Sequence, residues 1–118
     1  MKLSINLLFV FYFTFSSLLA NDYTILSFDD HPIQGTLVES NEDSFYLAII
    51  IAGSGPTDRN GNNSSMTSNY LKMLADELNK NGINSFRYDK RGVSKSLGDI
   101  KSPNEIQFLD YVNDAKSI

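Results

Sequence analysis

The stretch of this 118-residue chain richest in groups able to do chemistry is Gly53-Ser54-Gly55-Pro56-Thr57-Asp58-Arg59-Asn60-Gly61. A loop of this kind can present backbone N–H groups to an anion. A dinucleotide fingerprint would need a third glycine where Asp58 stands, and the Gly-Lys-Ser/Thr of a phosphate loop is absent. Asp58, Asn60 and Asn62 hold positions 1, 3 and 5 of a calcium loop. Asn63 then replaces the turn glycine and Asn69 the bidentate glutamate, so turn formation by Asp and Asn is the better account. Asn62 and Asn63 each open an Asn-x-Ser triplet, which matters only in a host that glycosylates exported chains. No cofactor and no metal are expected.

The second chemically rich stretch is Arg87-Tyr88-Asp89-Lys90-Arg91-Gly92-Val93-Ser94-Lys95-Ser96. Gly92 to Ser96 falls one residue short of the G-x-S-x-G nucleophile elbow, because Ser96 replaces the second glycine that lets the strained turn form. Ser94 is therefore read as a loop hydrogen-bonding residue. His31, between Asp30 and Pro32, reads as an exposed turn residue rather than a base. The carboxylate pairs Asp29/Asp30 and Glu42/Asp43 read as solvated turns.

Composition narrows the field further. The chain has no cysteine and one histidine, which removes thiol catalysis, disulfides, and multi-histidine or cysteine metal sites. Ten Lys and Arg stand against fourteen Asp and Glu, a net charge of −4. No basic stripe is present to displace counterions from phosphates, so nucleic acid is excluded as a partner. Residues 1–20 read MKLSINLLFVFYFTFSSLLA, with Lys2 ahead of an uncharged apolar run and Ala20 at the −1 position. This is signal-peptide layout. Leu3 to Leu19 would rise about 25 Å as a helix against a hydrocarbon core of about 30 Å, too short for a comfortable anchor. Cleavage would leave residues 21–118, secreted or periplasmic, with no stable membrane anchor.

Those residues are enough for one domain. Residues 23–39 read as an antiparallel hairpin around the turn chemistry of Asp29 to Pro32. Phe45 to Ala52 (FYLAIIIA) is uncharged and bounded by turns, as in a strand buried on both faces of a parallel sheet. SNYLKMLADELNKNG has helical spacing, with Leu71, Leu74, Ala75 and Leu78 on one face and Asp76 paired with Lys80. Ser68 is expected to cap its start and Gly82 to sit just beyond its end. Ile83 to Tyr88 is a second strand, which completes a βαβ unit with parallel strands. Ser102, Pro103 and Glu105 then form a capping box opening a helix that carries Ile106, Leu109 and Val112 to the end of the chain.

The strings IIIAGSGPTDRNGN, YLKMLADELNKNGI and SFRYDKRGVSKS, in that order, resemble the N-terminal half of an α/β-hydrolase-fold serine hydrolase. They are most similar to bacterial members related to serine aminopeptidases and acyl esterases, and the resemblance covers residues 23–118. It implies the N-terminal part of an α/β-hydrolase fold: an antiparallel hairpin leading into a parallel βαβ unit and a further helix. It also implies an oxyanion-hole N–H at Ser54, with Gly55 the second choice for that role. A glycine-flanked N–H just beyond a buried strand can approach a tetrahedral oxyanion closely. Asp89, Arg91 and Gly92 match a loop that is structural in the family. The nucleophile, the acid and the catalytic histidine would all follow position 118, so the chain alone is expected to be inactive. In complete form the expected substrate is a small-molecule or peptide acyl compound. The alternative is a secreted, non-enzymatic binding or structural protein that keeps the front of the fold and self-associates through an open sheet edge.

Overall fold

A computed structural model describes residues 20–40 and 43–118. The expected leader, apart from Ala20, lies outside the described residues, as do Asn41 and Glu42 of the turn that follows the hairpin. Strands β1 (Ala20–Leu26), β2 (Pro32–Val38), β3 (Leu47–Ile50) and β4 (Asn84–Tyr88) form one mixed sheet in the order β1-β2-β4-β3. Helix α1 (Tyr70–Lys80) connects β3 to β4, and α2 (Phe108–Ser117) follows β4. The hairpin and the βαβ unit take their expected places: β1 pairs antiparallel with β2, and β3 pairs parallel with β4. β1 begins three residues earlier than the alternation suggests, because Ala20 to Asp22 find partners in Thr36 to Val38.

Strand periodicity divides the core between two faces. In register across the sheet, Thr36 lies beside Arg87 and Arg87 beside Ile50, while Leu37 lies beside Phe86 and Phe86 beside Ile49. On the first face Ile50 and Ala52 pack against Leu71 and Ala75 of α1, with Leu78 at the margin. On the second, Ile33, Phe86 and Tyr88 pack with Ile25, Leu37 and Ile118. Phe86 and Tyr88 stack with ring centroids 6.4 Å apart. The Phe86 ring lies where a side chain on residue 35 would stand, 2.1 Å from a Cβ built on Gly35. The glycine in β2 is therefore a packing requirement.

Three segments depart from expectation. Phe45 to Ala52 is not buried on both faces: β3 is an edge strand of the described sheet, and Leu47, Ile49 and Ile51 are 54%, 41% and 54% exposed. The apolar composition of this segment reports the covering it could take, while only its α1 face is covered here.

At the start of α1, Ser68 does not cap; its hydroxyl donates to the Gly61 carbonyl. Asn69 adopts a left-handed conformation, and the Asn60 carbonyl reaches across to accept from the Leu71 and Lys72 amides. Lys72, not Lys80, pairs with Asp76 at 2.6 Å, and Lys80 turns to Glu77. The C-terminal end matches expectation: Gly82 donates to the Asn79 carbonyl and Ile83 to that of Leu78, the bonding of a Schellman cap.

The third departure concerns the last helix. Ser102 and Pro103 open only a short 3-10 turn, Pro103–Glu105, after which Ile106 is extended. α2 begins at Phe108 behind its own capping box, in which Asp110 accepts from the Gln107 amide at 2.8 Å.

A Gly35→Ala variant is expected to lose about 1–3 kcal/mol of stability, since the Phe86 ring must give way. Gly53→Ala, whose added Cβ meets nothing within 4 Å, should stay within about 0.5 kcal/mol of wild type. Denaturant unfolding of the pair checks this, and equal midpoints would remove the packing role of Gly35.

Candidate functional site

β3 and β4 run parallel, so the loops leaving their carboxyl ends emerge on the same side of the sheet. This is where open α/β sheets place ligands. The loop after β3 carries Gly53 to Gly61, and the loop after β4 carries Asp89 to Lys101. The turn between β1 and β2 arrives at the same end because β2 is antiparallel to β4.

Charged side chains lock these segments together. Asp89, 1% exposed, accepts from the backbone N–H of Arg59 at 2.7 Å and of Lys95 at 3.3 Å. Arg59 crosses to Asp22 on β1 at 3.1 Å. The Asp22 carboxyl is held below the usual range, chiefly by the Thr36 hydroxyl at 2.6 Å.

Arg91, 6% exposed, makes paired bonds in two directions. Its NH1 and NH2 donate to the two oxygens of Asp29, each at 2.7 Å, and its Nε and NH2 donate to Asp114 at 3.0 and 2.7 Å. Asp114 in α2, itself 1% exposed, also accepts from the Ser27 hydroxyl at 2.5 Å. The Arg91 guanidinium lies 5.3 Å from the centre of the Phe28 ring. These bonds hold the Asp29 carboxyl at about 2 and push the Arg91 guanidinium upward. Asp29 is the exposed turn residue its sequence context suggests, but its carboxylate is also committed to Arg91, and the structural reading of Asp89 and Arg91 stands. Asp29 and Asp114 lie 62 and 23 residues from Arg91, and local spacing carried no signal of either pairing.

Lys90, between these two anchors, reaches the loop after β3. Its ammonium donates to the carbonyls of Gly53 and, at 3.0 Å, of Gly55. Burial lowers its tendency to hold the proton. Gly55 has a φ of 86°, a left-handed conformation that favours glycine. Ser54 and Gly55 are exposed, and neither backbone N–H donates a hydrogen bond among the described residues. They line a cleft of about 540 Å³ together with Lys90, Val93, Ile106 and Tyr111.

The other sequence candidates take structural positions. His31 is half-buried rather than exposed, and its Nε2 lies 3.0 Å from the Ser96 carbonyl. Ser94 is exposed with a φ of 48°; the loop hydrogen bonding expected of it falls to Ser96, fully buried, whose Oγ accepts from the Gln34 amide at 2.8 Å. Asp58 accepts from the Asn60 and Asn62 amides, and Asn62 from those of Ser68 and Asn69. Asp58 and Asn62 are thus engaged in turn bonds, while the Asn60 side chain accepts from the Arg87 Nε at 3.1 Å. Among the described residues no cluster of three or more His, Cys, Asp or Glu could hold a metal ion.

No protein-family model matches the chain, and no curated protein matches it in sequence. Solved structures do match in fold. The α/β hydrolase GrgF from Penicillium sp. sh18 superposes with a TM-score of 0.52 at 20% identity, over 70% of this chain and 25% of its own. A cold-adapted esterase from an Arctic intertidal metagenomic library, crystallised with bound polyethylene glycol, gives 0.54 at 16% identity, over 75% of this chain and 34% of its own. The four-stranded mixed sheet with its two helices is part of an α/β-hydrolase fold. The chain spans about a quarter to a third of the length of these neighbours.

Asp29 has a lowered folded-state value, so its pairing stabilises the fold fully above its usual 3.8 and loses that effect as pH falls through about 2. Thermal melts should show stability declining from pH 4 to pH 2, with Asp29→Asn flattening that limb. Arg91→Met, which strands Asp114 as a buried unpaired charge, should cost about 3–5 kcal/mol at neutral pH. A neutral-pH melt unchanged by Arg91→Met would overturn this account of the network.

Proposed function

We propose that this chain is the oxyanion-binding front of an exported serine ester or amide hydrolase. In this reading the backbone N–H of Ser54, with that of Gly55 second, stabilises the oxyanion formed when a serine attacks an acyl carbonyl. The observation that supports it best is the pair of N–H groups just beyond β3, those of Ser54 and Gly55, which have no acceptor among the described residues and are exposed beside a cleft. The serine nucleophile, the acid, the working histidine and the second oxyanion donor belong, in this proposal, to chain beyond position 118. His31 is not assigned that role, since its Nε2 lies 3.0 Å from the Ser96 carbonyl and its side chain does not line the cleft of Ser54 and Gly55. Export through the segment 1–20 and a small-molecule or peptide acyl substrate are part of the same proposal.

A second reading is favoured by one observation, the exposure of Leu47 and Ile49 on an edge strand and of Ile51 just beyond it. Unpaired edges template association, so a non-enzymatic protein that self-associates through β3 would present this surface.

Titration of the ¹⁵N-labelled chain with methylphosphonate, a tetrahedral oxyanion mimic, is expected to move the Ser54 and Gly55 amide resonances selectively. Shifts spread elsewhere, or none, would refute the oxyanion role. The same chain is expected to show no burst with an activated ester and no labelling by a serine-directed phosphonate.

A further inference from the structure

We infer that Lys90 is the positioning residue of the Ser54 oxyanion donor, an inference that rests on the functional reading above. The argument starts from the peptide unit. The Gly53 carbonyl and the Ser54 N–H belong to one planar peptide, and among the described residues every peptide is trans. In a trans peptide the two groups point in opposite directions. An ammonium bonded to the Gly53 oxygen therefore turns the Ser54 N–H to the far side of the loop. There it meets no acceptor from the described residues.

The same ammonium bonds the Gly55 carbonyl, which also accepts from the Thr57 amide at 2.9 Å. Two peptides flanking Ser54–Gly55 are thereby held at fixed orientation. The Gly55–Pro56 peptide carries no N–H of its own, so anchoring its carbonyl costs the site no donor. Without such a clamp, a loop containing two glycines close together would sample many conformations.

The charge has a second effect. A bond from an ammonium to a carbonyl is charge-assisted and polarises the peptide, which makes the N–H at its other end a stronger donor. Lys90 can hold this position because both its neighbours are anchored, Asp89 to Arg59 and Lys95, and Arg91 to Asp29 and Asp114. Its side chain is the link between the rigid loop after β4 and the glycine loop after β3.

The test uses the ¹⁵N,¹³C-labelled chain with Lys90→Met and Lys90→Arg. In Lys90→Met the Gly53 carbonyl carbon should shift upfield, and amide exchange at Ser54 should accelerate at least tenfold. Methylphosphonate should bind about tenfold more weakly, measured at about 1 M salt, where long-range attraction to the ammonium is screened within about 3 Å. Lys90→Arg should restore all three, and thermal melts of both variants should match wild type. The inference falls if wild type binds methylphosphonate at Ser54 and Lys90→Met binds it equally well with an unchanged Gly53 carbonyl. It also falls if Lys90→Met lowers the melting temperature and speeds exchange throughout, which would mark a purely structural lysine. Failure of wild type itself to bind at Ser54 sinks the functional reading; the Gly53 shift and Ser54 exchange then decide separately whether Lys90 holds the loop.

Discussion

One buried guanidinium ties together the β1–β2 turn, the loop after β4 and α2. Arg91 donates to Asp29 in the β1–β2 turn and to Asp114 in α2, and so joins three segments that share no strand pairing. Taking these charges out of water is expensive, and it is tolerated because the guanidinium fork matches two carboxylates at once. Asp114 gains a further donor in Ser27, which distributes its charge over a small network. The polar network compensates for a short apolar inventory. The two hydrophobic clusters are small, and of the loop residues beyond β3 and β4 they take in only Ala52.

Asp89 does the corresponding job on the side of the glycine loop. Its carboxylate takes backbone donors from Arg59 and Lys95 and so fixes the start of one loop against the middle of another. Between these two anchors Lys90 reaches outward to the Gly53 and Gly55 carbonyls. Three consecutive charged residues thus act in three directions. At Ser54 and Gly55 the loop is held by the carbonyls of Gly53 and Gly55, and among the described residues the N–H groups of Ser54 and Gly55 donate to no acceptor.

The elements were legible where a local signal was strong. Alternation in 23–39, the uncharged run at 45–52 and helical spacing from Tyr70 each named an element correctly, and Gly82 marked the end of α1. Termini were less legible. Ser68 looks like a cap from its position, yet it donates to Gly61, because the Asn60 carbonyl occupies the start of α1. Ser102 and Glu105 spell a capping box but yield one 3-10 turn, and the helix waits for Gln107 and Asp110. A capping pattern states that a helix can start at a residue, not that packing will carry it forward.

The sequence by itself determined the fold class, the position of the glycine loop at the end of a strand and the exclusion of thiol and cysteine-metal chemistry. These rest on residue type and near-neighbour spacing, which act through backbone preference and periodic burial. Tertiary structure alone decided the pairing of Arg91 with Asp29 and Asp114, the reach of Lys90, and the exposure of one face of β3. Those outcomes join residues tens of positions apart or depend on what stands beside the sheet. Charge pairing selects by distance in space, and no local pattern in the chain encodes that distance.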